Sequence, residues 1–141
     1  MPKFFSVRRA GPGIGAGMYS TEDGIVAAPD YCTSEREHPF PYRDTALNWD
    51  NISYILGVPP HQCYFGFGNI EQLKAWLFDE EWRLHLHKQG FVIKVWSLPE
   101  DSEFPKMRVG NAQAVAVESA LLEHSPEYLS LVDLQPMALD F

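Results

Sequence analysis

The 141 residues are 45% hydrophobic and 13% aromatic, enough apolar material to order one domain over residues 1–141 and too short a chain for two cores. Nineteen acidic against 11 basic residues leave a net charge of -8, and the densest basic points are only Arg8-Arg9 and Lys106/Arg108. That balance counts against nucleic acid, whose phosphates reward clustered Lys and Arg, and suits a basic protein partner. No run approaches the roughly 20 apolar residues of a membrane span, and Met1–Arg9 lacks the apolar stretch of a signal peptide, so a cytoplasmic protein is expected.

In chain order, residues 3–9 (KFFSVRR) alternate as a strand, with Phe5 and Val7 on one side and Phe4, Ser6 and Arg8 on the other. The segment Gly11-Pro12-Gly13-Ile14-Gly15-Ala16-Gly17 has too many glycines for a regular element and reads as a loop, either over a cleft or as a plain connection. Residues 21–43 are irregular and proline-rich. Asp44 then reads as the cap of a short helix over 45–56, stopped by Gly57 and Pro59-Pro60. Residues 61–67 (HQCYFGF) predict a second strand. Asn69 caps a long helix over 69–89, with Gln72 at the reciprocal capping position and Gly90 as its stop. Strands over 91–98, 104–109 and 112–118 follow, close enough in sequence to pair antiparallel. The tail looks helical at Ala120–Leu122, and Leu129–Leu134 suits an edge strand. The expected class is α+β, with mostly antiparallel strands and two helices.

Each chemical motif has a plain alternative. Gly11, Gly13 and Ala16 fit a loose G-x-G-x-x-A, but no amphipathic helix starts after them to meet a pyrophosphate, and no Lys-Ser/Thr completes a Walker loop. His85 and His87 are two apart on a helix and cannot share a metal; Asp79–Glu81 read as a solvated face. Trp76 and Trp82 read as packing residues. Cys32 and Cys63 form no CxxC and no zinc-spaced set, so reduced thiols and no metal are expected. Cys63, inside an apolar strand, suits an inert buried thiol. There is no G-x-S-x-G elbow, and His38 and His61 are only hypothetical bases.

Taken together, the elements resemble two known groups. The first is a group of small uncharacterised phage and prophage proteins. They share an aromatic-x-Val-Arg start (Phe5-Ser6-Val7-Arg8), a Gly-Pro loop and an H-P-x-P-x-x-D segment (His38–Asp44). They also share G-F-x-x-x-x-Q-L-x-x-W (Gly66–Trp76) and a late Gln-x-Val (Gln113-Ala114-Val115). The pattern spans residues 4–116. The second is the layout of ADP-ribosyltransferase-like domains, carried by element order more than by side chains. That resemblance implies NAD or a related nucleotide in a cleft between two small sheets. It implies Arg8 or Arg9 on a phosphate or ribose, Tyr64 or Phe67 stacked on the nicotinamide, and Tyr19 at the end of the glycine loop. The catalytic glutamate of that layout falls on Gln113. An amide cannot stabilise a cationic transition state by charge, so an enzyme and a site that binds without turnover both stay open, as does a plain strand role for Arg8, Tyr64 and Gln113. The alternative from another class is a non-enzymatic acidic module that occupies the basic surface of a host protein. A structural virion component is a third reading.

Overall fold

The computed structural model describes residues 2–17, 44–100 and 104–138. Tyr19, Cys32, His38 and the irregular segment 21–43 lie outside the described residues. Those described form seven strands: β1 (Lys3–Arg9), β2 (Cys63–Gly66), β3 (Phe91–Ser97), β4 (Met107–Val109), β5 (Ala114–Val117), β6 (Glu127–Leu129) and β7 (Pro136–Met137). Four helices join them: α1 (Ile52–Leu56), α2 (Ile70–Trp76), α3 (Glu80–Lys88) and α4 (Glu118–Glu123). The α+β class and the antiparallel pairing are as expected. One sheet has the order β1-β3-β6-β7 and the other β2-β5-β4, and every pair in both is antiparallel.

Strand alternation divides the core. One face of the larger sheet carries Phe5, Val7, Ile93 and Val95 and packs against Leu73, Trp76 and Leu77 from the α2 segment and Leu86 of α3. The opposite face carries Phe4, Ser6 and Arg8 across from Trp96, Lys94 and Val92. Phe4 and Trp96 join a second apolar cluster with Leu47, Ile52, Leu56 and all of β5. Cys63 is buried in that cluster, and burial pushes its thiol pKa up, as an inert thiol requires.

Several predicted elements are cut short for identifiable reasons. The single helix over 69–89 is two. Asn69 caps α2 as expected, through a bond from the Gln72 amide to Asn69 Oδ1 (2.8 Å), while Gln72 Oε1 accepts from the Gly68 amide (2.9 Å), one residue before the N-cap amide that a reciprocal capping box uses. Leu77 then leaves the helical region (φ -109°, ψ 50°), and Asp79 opens α3 by accepting from the Glu81 amide at 3.0 Å. Asp79 is therefore a cap, not part of a solvated helix face. The helix over 45–56 shrinks to α1 behind a 3-10 turn at Trp49–Asn51, because Asn48 takes a left-handed conformation (φ 53°). The strand over 61–67 starts only at Cys63, since Pro60–Gln62 form a 3-10 turn with proline leading.

The strand over 112–118 loses both ends. At the first, the Asn111 and Ala112 amides go to the two oxygens of Asp44, at 2.8 and 2.9 Å. Asp44 is buried and clamps this turn; the expected role as a helix cap is filled only by its backbone carbonyl, which accepts from the Leu47 amide. At the other end Glu118 begins α4. The strand over 104–109 reduces to β4, and the strand expected over 129–134 is not formed: beyond Leu129 that segment is the turn that joins β6 to β7.

Candidate functional site

The two sheets touch at one point and then part. Phe5 and Phe67 exchange both backbone hydrogen bonds, at 2.8 and 2.7 Å, as an isolated antiparallel bridge between β1 and the end of β2. Beyond it, side chains replace the ladder. Ser6 Oγ donates to the Phe65 carbonyl (2.8 Å), Arg8 Nη2 donates to the same oxygen (3.3 Å), and Arg8 Nε donates to Ser6 Oγ (2.9 Å). The Arg8 guanidinium lies over the Tyr64 ring, 5.1 Å from its centroid. The Tyr64 hydroxyl donates to Glu118 Oε1 at 3.2 Å. A cation, an aromatic face and a carboxylate thus line the seam.

The glycine loop closes this site from one side. Arg8 Nη1 donates to the Gly15 carbonyl (3.4 Å), and the Arg9 amide donates to Ala16 O (2.9 Å). Lys94, opposite Ser6 on β3, has no exposed surface, and its ammonium donates to Gly11 O, Gly13 O and Ile14 O at 3.0, 2.9 and 3.1 Å. Gly11, Gly13 and Gly15 adopt φ of 137°, 77° and 82°, which only glycine adopts at low cost. The loop therefore points carbonyls inward around a cation, the reverse of a phosphate cradle, which points amides. The dinucleotide and Walker readings fail on polarity as well as on sequence.

The electrostatics follow from burial. Arg8 is 8% exposed, and desolvation pushes its pKa down to about 10, against a smaller upward pull from Tyr64. It stays charged at neutral pH. Burial, and then the charge of Arg8, lower the pKa of Lys94. Tyr64 is pushed up by burial and by its bond to Glu118, with Arg8 opposing. Among the described residues neither Arg8 nor Lys94 has a carboxylate within ion-pair distance; the ion pair found there is Arg83–Glu80, at 3.9 Å. Nor do three or more His, Cys, Asp or Glu gather there to hold a metal ion, and no helix there is long and apolar enough to cross a membrane.

The residues expected to form one site are only partly together. Arg8 and Tyr64 meet. Arg9 is on the other face of its sheet, over Phe91 at 4.8 Å and donating to the Gln89 carbonyl at 2.8 Å. Phe67 is buried against Trp76, ring centroids 5.8 Å apart. Gln113, also buried, precedes β5 by one residue, past the Gly66–Ala114 pair. Tyr64 pairs with Ala116, so Gln113 is about 10 Å further along the strand, at the end away from Glu118. Neither Lys94 nor Glu118 is among the site residues expected from the sequence. A lone lysine inside the apolar run FVIKVWS was the signal for the first. No local signal marks the second, since its partner Tyr64 is 54 residues away.

Fold and site together describe an α+β domain with a cationic, aromatic seam between two sheets. Residues 5–125 match the family model described as the bacteriophage T4 Y00F protein, and the chain belongs to that family of phage proteins. No curated protein and no solved structure matches it.

Proposed function

We propose that this phage accessory protein binds an anionic nucleotide, NAD or a relative, at the seam between its sheets, with catalysis weak or absent. One observation carries the reading. Arg8 is a buried cation whose described partners are all neutral: a hydroxyl and two carbonyls. Its other N–H groups have no partner among the described residues, and a phosphate oxygen would supply the missing counter-charge. Tyr64 gives a ring for a base or nicotinamide to stack on, and Glu118 an acceptor for a ribose hydroxyl. Weak turnover follows from the engagement of Glu118 with Tyr64. The choice of NAD comes only from the resemblance of the element order to ADP-ribosyltransferase-like domains.

The test is thermal denaturation with NAD and with ADP-ribose. A ligand at 100 times its dissociation constant adds about 2.7 kcal/mol of stability. The expected result is a clear rise in melting temperature for the wild type and none for Arg8→Gln, each against its own ligand-free baseline. No rise with either ligand at millimolar concentration rejects the reading.

A second reading, an acidic module for a basic host protein, has its own support. Phe78 is 60% exposed at the corner between α2 and α3, and the exposed Glu80 and Glu81 follow it closely. An apolar anchor beside carboxylates suits a basic surface. A partner captured from host lysate at low salt should wash off as ionic strength rises and should not bind Glu80→Lys/Glu81→Lys. Capture that survives both changes rejects this reading.

A further inference from the structure

A hollow of about 480 Å³ opens between α2 and the turn that leads into β5, lined by Gln72, Ala75, Trp76, Phe78, Asn111 and Ala112. Gln72 fixes its two walls to each other, since Nε2 donates to the Gly110 and Asn111 carbonyls at 2.8 and 3.3 Å. Ala75, Phe78 and Asn111 are exposed, so a partner can reach it. The field there is negative. The Asn111 and Ala112 amides donate to the carboxylate of Asp44, which is 2% exposed and has no cation within ion-pair distance among the described residues. Asp44 cannot touch a ligand, but a buried charge is little screened and acts through the wall. Glu71, one turn before Ala75 on the same helix face, and Glu80 and Glu81, just beyond Phe78, are exposed carboxylates. Lys74 and Arg83, the latter 3.9 Å from Glu80, are the opposing charges on these helices and do not balance them.

The lining asks for more than charge. Ala75, Trp76, Phe78 and Ala112 offer apolar surface, and aromatic rings attract cations to their faces. Asn111 donates through Nδ2 to Thr45 Oγ1 (3.3 Å), which leaves its Oδ1 to accept an incoming N–H. An arginine side chain joins an apolar stem to a charge and several donors. It suits the hollow better than lysine, because a guanidinium stacks on rings and is more weakly hydrated than an ammonium. We propose that the hollow receives an arginine side chain from an extended basic segment of a protein partner, with Glu80 and Glu81 meeting the charges that flank it. This rests on the reading of the chain as an acidic module and places its grip; it does not depend on Arg8.

The experiment follows the amide signals of the ¹⁵N-labelled full chain during titration with a capped peptide, Gly-Lys-Gly-Arg-Gly-Lys-Gly, and with the same peptide carrying neutral citrulline in place of arginine. Saturable movement of the Ala75, Asn111 and Ala112 signals is expected with the arginine peptide and none with the citrulline peptide. The movement should be lost in Ala75→Trp, whose ring fills the hollow from an exposed helix position. No movement up to millimolar arginine peptide overturns the site, and so does equal movement with citrulline or in Ala75→Trp. Salt-labile host capture that is lost in Glu80→Lys/Glu81→Lys but kept by Ala75→Trp also overturns the hollow, and leaves the acidic-module reading standing. Arginine-dependent movement that is lost in Ala75→Trp, without any salt-labile host capture, supports the hollow and rejects that reading.

Discussion

Replacing Lys94 with methionine should lower stability by about 3 kcal/mol, near the lower end of what breaking a buried charge arrangement costs, and so lower the melting temperature by about 10 °C. The ammonium is held at a cost, since burial and the nearby charge of Arg8 both push its pKa down. What the fold needs from it is three donors. Without them Gly11 O, Gly13 O and Ile14 O face a thioether that donates nothing. The cheapest relief is for the loop to peel away and hydrate those carbonyls. The bond from the Arg9 amide to Ala16 O should then open, and faster hydrogen exchange at that amide reports it. Lys94→Ala, which leaves room at the same oxygens, should regain part of the loss in ammonium or methylammonium salts and none in sodium salts of equal ionic strength. A Lys94→Met protein within about 0.5 kcal/mol of wild type, the range of an ordinary surface substitution, would mean that the relieved desolvation cancels the lost donors, and the carbonyl cage would have no structural role.

Much of the scaffold was readable from local pattern. The alternation of β1, the β-branched run of β3 and the Asn69–Gln72 cap are written within a few residues each, and the structure keeps all three. The break between α2 and α3 was harder to see. The apolar period runs on through Leu77 and Leu84, and only the cap-like Asp79 followed by Glu80-Glu81 argued for a new start. Asp44 illustrates a different limit. Its residue type was recognised as capping, but its carboxylate serves a turn 67 and 68 residues later. The site was legible only in part for the same reason. Arg8 and Tyr64 stood out one by one, whereas the cage around Lys94 depends on backbone angles at Gly11, Gly13 and Gly15 that decide whether carbonyls or amides point inward. Three glycines permit either direction. A buried lysine across the sheet selects one, and that pairing spans 80 residues or more.

Gly66→Ala should be the most damaging single methyl in the protein, costing about 3–4 kcal/mol, at and beyond the upper end of ordinary overpacking. Gly66 is buried, and a Cβ there would run into the Phe5 carbonyl and approach Phe4 Cζ and Cε1 at 2.8 and 3.0 Å. Neither neighbour gives way cheaply. Phe4 is fully buried and lies 6.1 Å from the Trp96 ring, and the Phe5 carbonyl is the acceptor of the bridge that joins the sheets. The added methyl therefore pushes β1 off β2 at their one backbone contact. The seam that Ser6 and Arg8 close on Phe65 O should open with it. Urea denaturation is the measurement, and a lower midpoint with an unchanged slope is expected. Gly13→Ala is the matched control. It places a Cβ in open space at φ +77°, so its cost is backbone strain of about 1–2 kcal/mol and no collision. Equal losses in the two variants would show that the close approach at Gly66 does not hold the sheets together, and the Arg8–Tyr64 site would lose the support that fixes its geometry.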